Sequence, residues 1–389
     1  MNTIDLYNWT PALRVMGLGL VVALGPLCWV WLRHRESDSA ARLRALTVLT
    51  LFLTFDLVLF GAFTRLTDSG LGCPDWPGCY GSVTPLGAQV HIDAAQMAMP
   101  SGPVTHSKAW IEMLHRYWAT GVGVLILTLT AFSWSRARVS HSTQAWWPTF
   151  TLAWVCVQGA FGALTVTQKL SPAIVTLHLL GGMFLLALLS VQVFKSAGLV
   201  RESIPASLRI GLGAVTALVW LQISLGGWVS TNYAVLACGG FPMCNAQWWP
   251  AWEGSGFEIW RQLGYSASGE ILPFSALVSI HVVHRAMAVV VALAVACLIW
   301  RLKTVNVLVR QRHWLLGLIV LQIATGLSNV VFDWPLLAAL IHTAGAAGLV
   351  VVLTWMLTRS QAAVDVVNSN SAYASAVPTM GRTDSRPLA

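Results

Sequence analysis

The chain has 389 residues, of which 56% are hydrophobic and only 10% are charged. Ordinary soluble domains carry roughly 25% charged residues, so the composition excludes that class and indicates a polytopic membrane protein. The formal net charge is +8, but the basic residues cluster in short loops between apolar segments. They are a signal of membrane orientation, and we expect no nucleic-acid partner.

Nine apolar runs are long enough, at about 20 residues each, to cross a hydrocarbon core about 30 Å thick. They lie near residues 12–32, 43–62, 109–133, 146–167, 172–194, 207–229, 278–300, 313–331 and 337–358. The first run is too long for a signal peptide, its basic cluster follows it, and no small-residue cleavage site comes after it. We therefore predict a retained N-terminal transmembrane helix, which with the loop after it occupies residues 1–42.

The other eight runs belong to an internal duplication. Residues 112–116, Glu-Met-Leu-His-Arg, are matched 169 residues later by residues 281–285, His-Val-Val-His-Arg. The chain therefore contains two homologous halves, 43–200 and 205–358, with four apolar runs each. An even number of spans gives both halves the same orientation. We predict an all-α fold of two four-helix bundles, an eight-helix core, plus the extra N-terminal helix.

The distribution of Lys and Arg predicts which loops are cytoplasmic. Basic residues cluster in alternate short loops, at Arg33, Arg35, Arg42, Arg44, Arg136, Arg138, Lys195, Arg201, Arg209, Arg301, Lys303, Arg310 and Arg312. The N-terminus is thus predicted outside and the C-terminus in the cytoplasm, with loops 63–108 and 230–277 on the outer face. Residues 359–389 are poor in large apolar side chains and predict a disordered cytoplasmic tail.

Four histidines lie at matched depth in four apolar runs, about six residues or roughly 9 Å from the outer end of each. They are His115, His178, His284 and His342. A single membrane histidine commonly makes an interhelical hydrogen bond, but four in a repeated pattern favour metal ligation. Two histidines per half, without a Cys-x-x-Cys-His attachment motif, favour non-covalent haem. His281 lies three residues before His284 on the same helix face and is an alternative ligand.

Four of the seven cysteines form two pairs of equal spacing, and both pairs fall in the outer loops. The pairs are Cys73 with Cys79 and Cys238 with Cys244. Cysteines outside the cytoplasm oxidise, and neighbouring Gly and Pro residues supply turns that would bring each pair together. Zinc binding is the alternative, although five intervening residues depart from the usual spacing of about two to four.

These motifs in combination resemble those of the haem A synthase family. The match rests on residues 61–71, Gly-Ala-Phe-Thr-Arg-Leu-Thr-Asp-Ser-Gly-Leu, on the Glu-x-x-His-Arg motif at 112–116, on the cysteine pairs and on the duplicated histidines. The resemblance covers residues 43–358. It implies a bacterial inner-membrane oxidoreductase that converts the C8 methyl group of haem O to a formyl group, with bound haem b as cofactor. The family has eight core helices, so the helix at 12–32 is a departure from its pattern.

The resemblance also implies roles for particular residues. His284 and His342 would bind haem b, and His115 and His178 would face the substrate haem. Glu112 would transfer a proton or stabilise a developing charge, because a carboxylate buried in a membrane is costly without a task. The alternative for Glu112 is that it only orients His115 or pairs with the next arginine, Arg116. Haem O synthase, terminal oxidase assembly factors and further copies of this chain are candidate partners, with lipid around the spans.

Two other functions explain part of the pattern. A membrane cytochrome that passes electrons from a quinol through two bis-histidine haems would use the same histidines, but it gives Glu112 and the cysteine pairs no purpose. A haem exporter or chaperone for cytochrome assembly would use an outer loop rich in tryptophan over a labile haem. The chain has such a loop at Trp248, Trp249, Trp252 and Trp260.

Overall fold

The computed structural model describes residues 10–140, 145–198, 201–305 and 307–362. In this part of the chain, nine helices are long and apolar enough to span a membrane, which confirms the all-α polytopic prediction. The long helices are α1 Thr10–Arg33, α2 Ser39–Leu66, α4 His106–Ser140, α5 Trp146–Thr167, α6 Pro172–Ser196, α7 Ala206–Thr231, α8 Phe274–Leu302, α9 Val309–Val331 and α10 Leu336–Arg359. A short helix, α3 Gln89–Ala98, lies in the first long loop. The predicted tail beyond residue 362 falls outside the described residues.

The helices of each half contact one another in a ring. In the first half, α2 packs on α4, α4 on α5, α5 on α6, and α6 on α2. In the second half, α7 packs on α8, α8 on α9, α9 on α10, and α10 on α7. The rings meet where α6 contacts α7 and α10, and where α2 contacts α10. The largest apolar core fills the second ring and includes Met183 and Leu186 of α6.

Helix α1 stands outside both rings and packs along α4, with a smaller contact on α2. Gly19 is the point of closest approach, because a Cβ atom at this position would lie 2.3 Å from Cγ2 of Thr120. Only glycine lets the two backbones come this close. The N-terminal helix is therefore an integral layer of the structure and lies against the helix that carries His115.

Local chemistry explains several helix starts. Asp38 caps α2 by accepting a hydrogen bond from the backbone N–H of Ala41 at 2.7 Å. Pro172 opens α6, and Pro273 and Pro335 immediately precede α8 and α10. Proline fits these positions because the first backbone N–H groups of a helix have no helical partner.

Two three-residue strands were not predicted. Strand β1, Glu202–Ile204, pairs in parallel with β2, Ser360–Ala362. An ion pair between Glu202 and Arg359 lies beside them. The contact joins the linker between the halves to the end of α10. Three residues are too few to show the alternation by which a strand is detected in sequence.

Candidate functional site

The four histidines lie on alternate helices of the two rings. His115 is on α4 and His178 on α6, while His284 is on α8 and His342 on α10. All four side chains are partly buried. Within each half, the two imidazoles are close enough to interact electrostatically. The structure therefore brings the predicted residues together as two pairs, one in each ring.

Each imidazole lies against a glycine of the neighbouring helix. A Cβ atom added to the glycine would lie 3.0 Å from Cε1 of His115 at Gly61, 3.5 Å from His178 at Gly162, 3.1 Å from His284 at Gly226 and 3.3 Å from His342 at Gly326. A larger residue would press on the imidazole at Gly61, Gly226 and Gly326, whereas a Cβ atom at Gly162 would be in ordinary van der Waals contact with His178. The arrangement occurs four times, so it is a property of the repeat and not of one crossing.

The second-half histidines have hydrogen-bond partners that hold their rings. The hydroxyl of Thr325 lies 2.9 Å from Nδ1 of His342 and donates its proton to the carbonyl of Leu321 at 2.7 Å. With its one proton on the Leu321 carbonyl, the Thr325 hydroxyl has an oxygen lone pair that favours the His342 tautomer with the proton on Nδ1. Nε2 of His342 is then unprotonated, which is the form that ligates a metal. The amide Nε2 of Gln222 lies 3.1 Å from Nδ1 of His284.

The first-half histidines differ. In the described part of the chain, Nδ1 of His115 and Nδ1 of His178 are buried without a hydrogen-bond partner. Burying an unpaired ring nitrogen costs free energy, so such a residue is retained for a task. The imidazoles of this half are packed against glycine but not tied by hydrogen bonds.

The donor set fits haem better than a metal ion bound by protein alone. No group of three or more His, Cys, Asp and Glu side chains that could hold a metal ion occurs among the described residues. A structural zinc site needs about four such donors. Each ring of helices contains two imidazoles, which is the number that the axial positions of a porphyrin iron require. The His342 tautomer with a free Nε2 suits that role.

Glu112 is buried, with 4% of its surface exposed, one turn before His115 on α4. Its Oε2 accepts a hydrogen bond from the backbone N–H of Cys73 at 2.8 Å, and its Oε1 accepts from Nη2 of Arg116 at 2.5 Å. Arg116 also donates to the carbonyls of Asp75 at 2.9 Å and Gly78 at 2.5 Å. The carboxylate is thereby held between the helix and the first cysteine loop.

Both cysteine loops are closed by disulfides in the structure, Cys73 to Cys79 and Cys238 to Cys244. In the second half, Arg285 donates to the carbonyls of Cys238 at 2.5 Å and Gly240 at 2.9 Å. Arg116 and Arg285, each next to a pair-forming histidine, thus hold equivalent loops by their backbone carbonyls. Cys28, Cys156 and Cys297 are free.

His281 occupies the second-half position that corresponds to Glu112. It is buried, with 4% of its surface exposed, and contacts the backbone of Ala234 in the loop after α7. His284, in contrast, lies against Gly226 and Gln222 of α7. The two histidines therefore have different surroundings, and only His284 repeats the glycine contact of His115.

The ends of α2 and α7 that lead into the two cysteine loops are joined by a polar contact near the site. Asp68 and Tyr233 follow α2 and α7 at equivalent positions, and both have positive φ angles, 52° and 55°. The Tyr233 hydroxyl donates to Asp68 at 2.5 Å, and the guanidinium of Arg65 lies 4.0 Å from the centre of the Tyr233 ring. Burial raises the pKa of Tyr233, so the hydroxyl keeps the proton that it donates.

Sequence reasoning missed Gly226, Gln222 and Thr325 as part of the site. Gly61 and Gly226 are 165 residues apart, the separation of the two cysteine pairs, so the repeat could have identified the glycine. Thr325 has no such signal, because the matching position 164 residues earlier is Phe161.

The fold and the site define a multi-pass membrane protein with one histidine pair in each of two helix rings. The model of the COX15-CtaA family, described as cytochrome oxidase assembly protein, matches residues 44–354. The chain belongs to this family. The match confirms the family resemblance predicted from the sequence motifs.

Relatives cover most of the chain. A protein of Shewanella oneidensis named "Heme A synthase" is 37% identical over 311 residues, 78% of this chain and 92% of its own length. Proteins of the same name from Shouchella clausii and Halalkalibacterium halodurans are each 26% identical. They cover 81% and 74% of this chain, and 96% and 86% of their own lengths.

Proposed function

We propose that this chain is a haem A synthase that oxidises the C8 methyl group of haem O to a formyl group. Family membership and the names of its relatives place it among enzymes of haem A biosynthesis. The observation that carries the oxidation is Glu112, a buried carboxylate one turn from His115 that the second half lacks. An electron carrier has no use for this difference between its two sites.

The two histidine pairs divide the work. His115 and His178 receive the substrate haem, because only the first ring of helices contains the Glu112 carboxylate. In addition, no hydrogen bond ties the Nδ1 atoms of these two histidines. His284 and His342 hold haem b permanently, since a fixed tautomer and an amide neighbour orient the rings of this pair. The halves 43–200 and 205–358 are accordingly a substrate domain and a cofactor domain.

Conversion of a methyl group to a formyl group adds one oxygen atom. With water as the source of this oxygen, each conversion withdraws four electrons and releases four protons. Haem b held by His284 and His342 would supply one-electron chemistry, with the electrons passing to an acceptor outside the chain. Glu112 accepts a proton near the substrate, and Arg116 pairs with the carboxylate before the transfer and again once the proton has been passed on. The disulfide-closed loop over Glu112 limits the access of water to that proton.

The location and partners follow from the substrate. Haem O carries an isoprenoid tail and partitions into lipid, so an enzyme spanning a bacterial inner membrane can receive it directly from a haem O synthase. The distribution of basic loops supports a cytoplasmic C-terminus and a location of the disulfide loops on the oxidising outer face. Terminal oxidase assembly factors are the partners expected for the product.

Pigment analysis tests this function. The full chain would be expressed in a bacterium that makes haem O but has no haem A synthase, and the haems would be extracted and weighed by mass spectrometry. We expect a haem with the mass of haem A. A strain that contains the folded protein together with only haem b and haem O would refute the synthase and favour the two-haem quinol cytochrome.

A further inference from the structure

A half-open apolar cavity of about 220 Å³ lies between α1, α2 and α4. Val22, Ala23 and Pro26 of α1 line one side, Leu53 of α2 lines another, and α4 contributes the stretch from Trp118 to Leu125. No charged residue lines it. A cavity without polar partners does not hold ordered water, so its natural occupant is a hydrocarbon.

The cavity follows from the sequence of α1. Helices α1 and α4 approach closely at Gly19 and again at Gly121, where a Cβ atom would lie 3.0 Å from Cγ1 of Val22. Pro26, within α1, has no backbone N–H to donate to the carbonyl of Val22, so one helical hydrogen bond is missing beside the cavity. The small side chain of Ala23, which is fully buried, leaves the space unfilled.

Aromatic side chains connect the cavity to the substrate histidine. The ring of Phe60 lies 6.1 Å from that of His115 and 6.1 Å from that of Trp118, centre to centre. Trp118 is also a wall of the cavity, where its indole N–H donates to the carbonyl of Leu53 at 3.2 Å. Along α4, the cavity begins three residues after His115, which is about 4.5 Å at 1.5 Å per residue.

We propose that this cavity binds the isoprenoid tail of the substrate haem. An engineered apolar cavity of about 150 Å³ binds benzene, so about 220 Å³ has room for roughly nine carbon atoms, or about two isoprene units. Haem O carries such a tail and haem b does not, so the cavity would select between two porphyrins that share the reacting methyl group. The proposal rests on the proposed function, which makes haem O the substrate of the first half.

Helix α1 lies outside the segment that matches the family, residues 44–354. The extra helix thus supplies one wall of a specificity pocket that the eight core helices cannot close alone. The tail pocket thus gives a function to helix α1, which carries none of the four histidines.

Filling the cavity tests the proposal. Ala23→Phe puts a large apolar side chain into the space, whereas Leu24→Phe adds the same ring at the next position, where the side chain is 48% exposed. Purified full-length protein, with the second-half site saturated with haem b, would be titrated with haem O and separately with haem b, following the absorbance of the bound haem. Ala23→Leu introduces a smaller obstruction and serves if Ala23→Phe is not recovered folded.

The expected result is a loss of at least about tenfold in haem O affinity for Ala23→Phe, with unchanged haem b affinity and with no change of either in Leu24→Phe. Equal haem O affinity in the two variants would overturn the proposal, as would an equal loss for both haems. A phospholipid that native mass spectrometry finds on the wild type but not on Ala23→Phe, at unchanged haem O affinity, would assign the cavity to a lipid chain instead.

Conversion of haem O by the wild type is measured separately. Absence of conversion together with an Ala23-dependent preference for haem O would refute the synthase and leave the tail pocket standing. Normal conversion without that preference would support the synthase and refute the tail pocket.

Discussion

Glu112 accepts a hydrogen bond from the backbone N–H of Cys73, with an N to O distance of 2.8 Å. The carboxylate one turn before His115 is therefore attached to the first residue of a disulfide-closed loop. Arg116 closes the arrangement by binding the same carboxylate and the carbonyl of Gly78. The position of the proposed proton acceptor thus depends on the first cysteine loop as well as on α4.

Differential alkylation tests the state of the cysteines. We expect Cys28, Cys156 and Cys297 to react with a maleimide in denatured protein without reductant, because all three are free in the structure. The cysteines of the two loops should react only after reduction. Peptide mass mapping assigns each site. Seven reactive thiols without reductant, in protein taken from the membrane, would contradict the outer location of the loops.

Removal of an axial ligand should release the cofactor. His284→Ala and His342→Ala should lose tightly bound haem b, because a low-spin iron with one protein ligand is held more weakly. His281→Ala should keep the haem, since His281 lies against the loop after α7 and not against a glycine of that helix. The measurements are the haem content and the low-spin spectrum of purified protein. If His284→Ala kept a normal low-spin spectrum and His281→Ala lost it, His281 would be the haem b ligand and His284 would not.

Thr325→Val keeps the shape of the side chain and removes the oxygen that accepts from His342. Loss of such an outer partner costs about 10- to 100-fold in affinity for a bound metal group. We expect haem b affinity to fall by that factor, measured by haem release to apomyoglobin. Thr325→Ser retains the hydroxyl and should bind haem b like the wild type. Equal affinity in the two variants would show that the hydrogen bond has no effect on ligation.

The glycine contacts separate the two sites. Gly61→Val should displace His115 and stop haem A formation while haem b stays bound, because the added atoms meet the imidazole of the first half only. Gly226→Val should displace His284 and release haem b. Gly159→Val is a suitable control, since nothing lies within 4 Å of a Cβ atom added there. Loss of haem b in Gly61→Val but not in Gly226→Val would reverse the assignment of substrate and cofactor halves.

Much of this architecture is predictable from particular sequence features. The nine spans follow from length and apolar composition, which the membrane enforces directly. Their ends do not: α4 continues to Ser140, seven residues beyond the predicted end at 133, because a helix can extend past the hydrocarbon into water. The histidine pairs were predictable because a duplicated polar residue is conspicuous in an apolar run.

The contacts that distinguish the two sites were not predictable. Thr325 and Phe161 occupy matching positions, so comparison of the halves gives no reason to connect the threonine with His342. The cavity beside Trp118 requires the crossing of α1 over α4, which is set by close approach at Gly19 and has no counterpart in the repeat. Both depend on packing between helices, and periodicity in one helix does not report it.

The central claim is that Glu112 makes the first-half site catalytic, and Glu112→Gln tests it most directly. The amide keeps the shape and a hydrogen-bonding oxygen for Cys73 but cannot accept a proton, and loss of general base catalysis costs about 100-fold or more in rate. In cells whose only haem A synthase is this chain, the extracted haem A should fall by that factor, with haem O or a hydroxylated intermediate accumulating and haem b still bound to the purified variant. A normal ratio of haem A to haem O in cells carrying Glu112→Gln would contradict the account, and Glu112 would then only orient His115 and hold Arg116.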